Sequence, residues 1–540
     1  MEKENELKSE SNFLKKFDLS ISNWFDDRIK LAIICCFIFG ILVHFTFLSE
    51  ILLSQDGIWN SLDAKSPYDW EISLGRWGIM FVDRIANYLS IPNITGIISL
   101  LLVTISTISI INLLNIKSKP GIILTSFAMM ASPAFATTMI YAFTSISYCM
   151  ALLLASISAR LMFTEKFKII SRILSSILIA FMMSLYQAYL GVVVGLAVLK
   201  LILNIIDRKY KAGQIIIQGI VVITITVIAG VVYLCVTNII LENTGLTLSN
   251  YNGASSISIS NSIINLPNTI TNCYKDFANF YFTDDIVFNS NFNRQILWGI
   301  FFCIFGILEI YLVIAKKVWE NALDLILILV LTLIIPLAFS CIVILVVDYS
   351  LYILTSSQFV LIIPFILAMI DRLNYNLDLI LKYATILITF AIIHTYFLSI
   401  SASYSSMKFT ADQFTQVVNR ILTRMELDED YSSDKTVMFT GRILDESLIF
   451  SARSEIYNYT LSNLFRSPVI HGSYDAFVGT WQKAINAYLG TRIVFCSTPD
   501  YQRIIETEQY KNMGIYPDKN SIDCIEGVMV VKLLEDAPKP

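Results

Sequence analysis

One stretch near the start of the chain, from Gln55 to Trp77, concentrates residues that could do chemistry. A carboxylate can take the proton from a hydroxyl group, and an arginine can hold a phosphate through two parallel hydrogen bonds. Aromatic rings suit both sugar faces and the membrane interface. The candidate catalytic acids are Asp56, then Glu71, then Asp69; the candidate phosphate ligand is Arg76; and the candidate substrate-lining rings are Trp59, Trp70 and Trp77.

These residue types are those that transfer of a group from a lipid phosphate would require. The same residues also fit a plainer interpretation, in which tryptophans form an interfacial belt among solvated charges. Composition gives the two interpretations about equal weight, because charged loops beside a membrane are common.

Two further polar features lie elsewhere in the chain. Tyr186, Gln187 and Tyr189 fall where two predicted helices meet, so they would either line a substrate cavity or hold the helices together. Arg294 ends a polar stretch before another apolar block and is a second, weaker candidate for binding the phosphate.

The elements that must position these residues are membrane helices. Hydrophobic residues make up 55% of the 540 residues and charged residues 15%, and the apolar residues lie in long blocks. A bilayer core needs about 20 apolar residues per helix. Eleven blocks satisfy this requirement, at approximately 31–50, 91–115, 120–140, 144–163, 167–185, 187–206, 213–239, 295–315, 322–346, 352–370 and 378–400.

Basic residues predict the orientation of these helices. Lysine and arginine concentrate in alternate loops, which favours a cytoplasmic N-terminal segment at 1–30. With eleven spans, the loops 51–90 and 240–294 and the C-terminal region 401–540 all lie outside. The transmembrane body is then 31–400.

The C-terminal region reads as a small α/β domain. Thr410 and Gln413 fit a capping box at the start of a separate helix. Strands are predicted at 437–440, 492–496 and 528–533, and Thr498-Pro499 predicts a helix start. Cys496 and Cys524 would either pair or remain free thiols. The domain has no recognised catalytic motif, so we expect it to position an acceptor or to cover the membrane site.

The sequence resembles the Gtr type II family of glucosyltransferases. The resemblance rests on Asp56 shortly after the first helix, EISLGRW at 71–77 and YQAY at 186–189. The run MGIYP at 513–517, followed by GVMVV at 527–531, is similar to the ends of Gram-positive-type members. The family pattern has a histidine before the first-loop aspartate, where this chain has Gln55, so a histidine-assisted role does not carry over.

The resemblance implies a GT-C type membrane enzyme. Such enzymes take a sugar, often glucose, from a polyprenyl-phosphate carrier on the outer face and attach it to a cell-surface polysaccharide. Asp56 matches the first-loop acid of the family, and Glu71 and Arg76 match its second element. No cofactor and no nucleic-acid partner are expected, and metal dependence is left open.

The sequence as a whole therefore predicts an all-α polytopic, GT-C-like membrane protein of about eleven transmembrane helices with a small extracytoplasmic α/β domain. Its predicted function is an inverting hexosyltransferase in the cell membrane, with Asp56 as general base. The alternatives are a flippase or transporter for lipid-linked oligosaccharides and a polysaccharide ligase or polymerase.

Overall fold

The computed structural model describes residues 26–60, 68–250, 265–345, 351–373, 379–441, 454–465, 474–491 and 493–533. Residues 1–25 of the predicted N-terminal segment and Arg492 of a predicted strand lie outside this part of the chain. The described chain is mostly helical, with a small sheet near the C-terminus.

The helices of the membrane body follow one another in chain order. The first half contains α1 (Asp27–Ser49), α2 (Gln55–Trp59), α3 (Asp69–Ser73), α4 (Ile79–Val82), α5 (Pro92–Leu114), α6 (Lys119–Met130), α7 (Pro133–Ile140), α8 (Ala142–Met162), α9 (Lys168–Met183), α10 (Leu190–Ile206) and α11 (Ala212–Thr244). The second half contains α12 (Leu266–Phe282), α13 (Arg294–Ala315), α14 (Ala322–Leu333), α15 (Ile335–Phe339), α16 (Cys341–Leu345), α17 (Ile362–Ile370) and α18 (Leu379–Glu426).

Within the described residues, 8 helices are long and apolar enough to cross a membrane. They are α1, α5, the pair α6–α7, α8, α10 with the turn before it, α11, α13 and α18. The other three predicted blocks contain shorter helices: α9 has 16 residues, the block 322–346 is divided among α14, α15 and α16, and the block 352–370 has an apolar helix over Ser357–Ile370. Pro336 in the first turn of α15 fits the break in the second of these blocks. The multi-pass character is confirmed, and the count of eleven stays a prediction.

The predicted outer stretch 240–294 is not simply a polar loop. It contains α12, which packs into the body through buried Cys273, Phe280 and Tyr281. The Tyr281 hydroxyl donates a hydrogen bond of 2.6 Å to the Phe359 carbonyl. Helix α12 is therefore part of the packed core of the membrane body.

Helix α18 runs across the predicted boundary between body and domain at residues 400 and 401. It continues without a break for 48 residues, about 72 Å at 1.5 Å per residue, which exceeds the thickness of a bilayer. The predicted capping box at Thr410 and Gln413 is wrong, because the Thr410 hydroxyl instead bonds the Ser406 carbonyl inside the helix. Tyr404 and Phe414, on either side of Thr410, are both buried, which favours one continuous helix over two.

The C-terminal region folds around a sheet. Its elements are β1 (Val437–Thr440), α19 (Ser454–Tyr457), α20 (Tyr474–Leu489), α21 (Thr498–Ile505), α22 (Glu508–Lys511), β2 (Ile522–Ile525) and β3 (Val528–Lys532). The order is β1-β3-β2, with β1 parallel and β2 antiparallel to β3. Alternate strand residues face two apolar clusters, one with α18 and α20 and the other with α21.

Most of the sequence-based expectations for this region are confirmed. The strands at 437–440 and 528–532 are present, and α21 begins at Thr498 with Ser497 as its cap. The predicted strand at 492–496 appears as an isolated bridge from Val437 to Phe495, while β2 was not anticipated. Cys496 and Cys524 are free thiols.

The first loop and the C-terminal region touch each other. Leu53 and Ile58 are buried in the same apolar cluster as Phe414 and Ala484. The predicted topology places both segments on the same side of the bilayer, and this contact is consistent with that prediction.

We expect a topology reporter fused after Asn374 to read cytoplasmic and one fused after Pro540 to read extracellular. The reason is the alternation of basic loops together with the contact between the first loop and the domain. A phosphatase reporter and a fluorescent protein at each position would measure both sides. The same side for both fusions would contradict the arrangement.

Candidate active site

Arg76 is held at the face of the bundle that carries the first loop. Its Nη1 donates to the Tyr148 hydroxyl at 3.2 Å, and its Nε donates to Gln187 Oε1 at 3.4 Å. Its guanidinium lies 4.9 Å from the centre of the Tyr186 ring, which stacks on Tyr148 at 4.1 Å. Stacking and hydrogen bonding together fix the plane of the guanidinium.

The turn before Arg76 explains why glycine occupies position 75. Gly75 has a φ of +72°, and a Cβ there would lie 2.3 Å from the Tyr233 hydroxyl. That hydroxyl donates to the Gly75 carbonyl at 3.1 Å, and Gln187 Nε2 donates to the Leu74 carbonyl at 2.9 Å. The SLGRW and YQAY segments, predicted as separate elements, are therefore parts of one hydrogen-bonded unit.

The candidate acids differ in exposure. Asp56 is exposed on α2, whose Ser54 cap accepts a hydrogen bond from the Gly57 amide at 3.0 Å. The surrounding protein removes part of its hydration and raises the pKa of the Asp56 carboxyl. Glu71 is buried, with 7% of its surface exposed, whereas Asp69 is exposed.

Tyr148, at the start of α8, connects these groups. Its hydroxyl accepts the hydrogen bond from Arg76 and lies within electrostatic range of both Glu71 and Asp56. The first loop thus supplies one cation that bonds this hydroxyl directly and two acids that influence it electrostatically. Sequence reasoning missed Tyr148, which lies in an apolar block and has no neighbouring motif.

A second buried acid, Asp83, was also missed. It accepts hydrogen bonds from the Tyr68 hydroxyl at 3.0 Å and from Ser147 Oγ at 3.1 Å. A small cavity beside it is lined in addition by Tyr88 and Phe143. The signal in the sequence is an acid among the mostly apolar residues of 77–88.

The aromatic candidates do not form one wall. Tyr186 and Tyr189 lie edge to face at 5.6 Å beside Arg76, and Ser357 donates to the Tyr189 hydroxyl at 3.4 Å. Trp77 instead donates through Nε1 to Thr237 at 3.1 Å.

The other two tryptophans of the first loop have different surroundings. Trp70 is 56% exposed. Lys483 of α20 lies 5.2 Å from the centre of the Trp59 ring. Of the proposed substrate-lining rings, Tyr186 contacts Arg76, and Tyr189 contacts Tyr186.

Arg294 belongs to a different cluster. It is fully buried, donates to Ser399 at 3.2 Å and lies 5.4 Å from the centre of the Tyr396 ring. Its Nε and Nη2 atoms have no hydrogen-bond partner within the described residues. Its contacts there are with α18 and not with the first loop, so the structure does not bring it together with Arg76.

Among the residues that the structure describes, no group of three or more His, Cys, Asp and Glu side chains could hold a metal ion.

Comparison with known proteins gives one match. A family model described as glucosyl transferase GtrII matches residues 45–365, which is more than half of the chain. The matched segment includes α2, the Gly75 turn, Tyr148, the YQAY segment and Tyr233. No curated protein and no solved structure matches the chain.

We expect Gly75→Ala to lower the thermal unfolding midpoint of the detergent-solubilised protein. The substitution adds strain at a positive φ, of order 1–2 kcal/mol, and pushes a methyl group into the Tyr233 hydroxyl. Gly245→Ala is the matched control, because Gly245 has a φ of +70° and nothing within 4 Å of its added Cβ. Tyr233→Phe in the Gly75→Ala background removes the obstructing oxygen and should recover part of the loss. Equal midpoints for the two glycine variants would show that the contact carries no energy.

Proposed function

The chain belongs to the glucosyl transferase GtrII family, and on that premise we propose that it moves glucose from a polyprenyl-phosphate carrier to a cell-surface polysaccharide. The transfer would take place on the outer face of the cell membrane. The observation that carries the proposal is the fixed position of Arg76, which is bonded to Tyr148 and Gln187 and stacked on Tyr186 in the same loop that carries Asp56 and Glu71. This loop lies within the segment that the family model matches.

The proposed chemistry is an inverting displacement at the anomeric carbon. The acceptor hydroxyl oxygen forms the new bond to that carbon, its proton passes to Asp56, and the bond from carbon to the lipid phosphate breaks. Asp56 suits the role of base because it is exposed to an incoming acceptor and its pKa is raised toward the working pH. Glu71 is the second choice, and Asp69 is the third.

Arg76 suits the leaving phosphate. Its guanidinium is half-buried, and Tyr148, Gln187 and Tyr186 fix its plane before any substrate arrives. A pre-oriented cation stabilises charge that develops on a departing phosphate without reorganising first. Arg294 is the weaker choice because it is buried among residues of α18.

The placement in the cell follows from the same premise. We propose a multi-pass protein of the cell membrane with a cytoplasmic N-terminus and an extracytoplasmic C-terminal domain. Its partners would be the lipid-linked sugar, the polysaccharide acceptor and the bilayer.

A transporter is less well supported than a transferase. A transport path needs charged residues along the inside of the bundle. In the described membrane helices, the acid that lies deep within a span is Glu309, and it accepts a hydrogen bond from Thr332 at 2.5 Å. A ligase or polymerase would use the same groups as a transferase, so substrate chemistry alone separates it.

We expect Asp56→Asn to lower turnover by roughly 10²–10⁴, the usual share of general acid–base catalysis. The asparagine keeps the shape of the side chain but cannot accept the proton. Sugar transfer from a synthetic polyprenyl-phosphate glucose to polysaccharide from gene-deleted cells would measure turnover. The base works only when it is deprotonated, and its pKa is raised. As the pH is lowered, wild-type turnover should therefore begin to fall at a pH above the ordinary aspartate pKa of about 4.

Asp27→Asn is the matched control, because Asp27 is an exposed acid at the start of α1 and the variant should stay active. An active Asp56→Asn variant with an inactive Glu71→Gln variant would make Glu71 the base. Comparison of surface glycans with and without the gene tests the wider proposal, and identical glycans would contradict it.

We expect Arg76→Lys to weaken transfer by about 10–100-fold, because lysine keeps the charge but loses the forked donors of a charged hydrogen bond. Arg84→Lys is the control in the same segment, since Arg84 bonds Tyr88 at the exposed surface. The parameter to measure is kcat/KM for the lipid-linked donor. If Arg76→Lys keeps a normal kcat/KM and Arg294→Lys is inactive, Arg294 and not Arg76 binds the leaving phosphate.

A further inference from the structure

Helix α2, which carries Asp56, is built into the core of the C-terminal domain. Leu53 and Ile58, on either side of Asp56, are 1% and 0% exposed. Both belong to the apolar cluster that contains Phe414 of α18 and Ala484 of α20. A residue of the first loop is therefore part of the hydrophobic core of a region more than 350 residues later in the chain.

Polar contacts add to this apolar docking. Lys483 of α20 donates to the Trp59 carbonyl and lies over the Trp59 ring. Tyr488 of α20 packs against the apolar cluster that contains Leu53. The domain therefore contacts the chain both before and after Asp56.

The opposite side of α2 touches the membrane body. The Ser54 amide donates to the Ile140 carbonyl at 3.2 Å, and a Cβ on Gly57 would lie 3.2 Å from the same oxygen. A helix of 5 residues has too few internal hydrogen bonds to be stable alone. Its position is therefore set by the two surfaces between which it lies.

We propose that the C-terminal domain holds the catalytic acid in place, with Ile58 and Lys483 as positioning residues for Asp56. The inference rests on the proposed role of Asp56 as the base. Loosening α2 from the domain would leave the substrate-binding groups Arg76, Tyr186 and Gln187 intact, because they are anchored to α8, α10 and α11. The effect would fall on kcat and not on KM.

The test compares Ile58→Ala with Ile504→Ala in the full-length protein. Both isoleucines are fully buried in the domain, but Ile504 belongs to the apolar cluster on the other face of the sheet. We expect Ile58→Ala to lower kcat by about 10²-fold, the effect of misplacing a catalytic group by about 1 Å, with KM for the donor unchanged. Ile504→Ala should leave kcat close to wild type.

Hydrogen exchange gives a readout of position that does not depend on activity. The amides of Gly57, Ile58 and Asn60 are hydrogen-bonded within α2. They should exchange faster in Ile58→Ala and in Lys483→Met than in the wild type, and at the wild-type rate in the surface control Lys511→Met. Lys483→Arg, which restores a cationic donor, should recover both protection and kcat.

The outcomes separate the two proposals. A fully active Asp56→Asn variant would overturn the role of Asp56 as base, whatever the exchange rates show. Suppose instead that Asp56→Asn is inactive. The positioning role alone is then overturned if Ile58→Ala leaves the exchange of the α2 amides unchanged, or if Ile58→Ala speeds that exchange but keeps a normal kcat. Equal losses of kcat in Ile58→Ala and Ile504→Ala would also overturn it, because general destabilisation of the domain would then account for the effect.

Discussion

The carboxamide of Gln187 makes three hydrogen bonds at the point where the first loop meets the membrane helices. Its nitrogen donates to the Leu74 carbonyl and to Tyr233, and its oxygen accepts from Arg76. Gln187 is half-buried, so its amide takes its hydrogen-bond partners largely from the protein. One amide thus joins the turn at Gly75, the start of α10 and the middle of α11. The orientation of Arg76 depends on this amide together with the contacts of Arg76 to Tyr148 and Tyr186.

A second constraint is that α2 has no core of its own. It packs against apolar residues of the C-terminal domain, and its capping residue Ser54 hydrogen-bonds the backbone of α7. The rod formed by α18 makes this arrangement possible, because it continues from the bundle directly into the domain core. Lys408 on α18 pairs with Glu50 at the end of α1 at 3.0 Å, which fixes the rod beside the start of the first loop. The C-terminal domain, α18 and the first loop are therefore packed against one another beside Asp56.

The acids of the site divide by environment in a way that suits an enzyme of the GtrII family. Asp56 is open to solvent, while Glu71 and Asp83 are buried. Hydroxyl groups of Tyr68 and Ser147 surround Asp83 with neutral donors. An exposed acid can exchange protons with a substrate and the medium, whereas a buried and hydrogen-bonded acid is better suited to hold the site in shape. These carboxylates therefore differ in their exposure and in their ability to exchange protons. Their spacing along the chain does not predict this difference.

The sequence by itself determined the features that depend on local pattern. Hydropathy located the membrane helices, short apolar runs located the strands at 437–440 and 528–532, and residue type marked Asp56, Glu71, Arg76 and Gln187. Only the tertiary structure decided which of these residues meet. Gln187 lies 111 residues from Arg76, and Tyr233 lies 158 residues from Gly75, so no local signal connects them. For the same reason, the sequence did not mark Tyr148, which lies in an apolar block. Nor did it predict the continuity of α18, because the polar residues near Thr410 resemble a helix start. It also kept the burial of Ile58 in a distant core from view, because burial depends on packing between segments and not on the residues beside them.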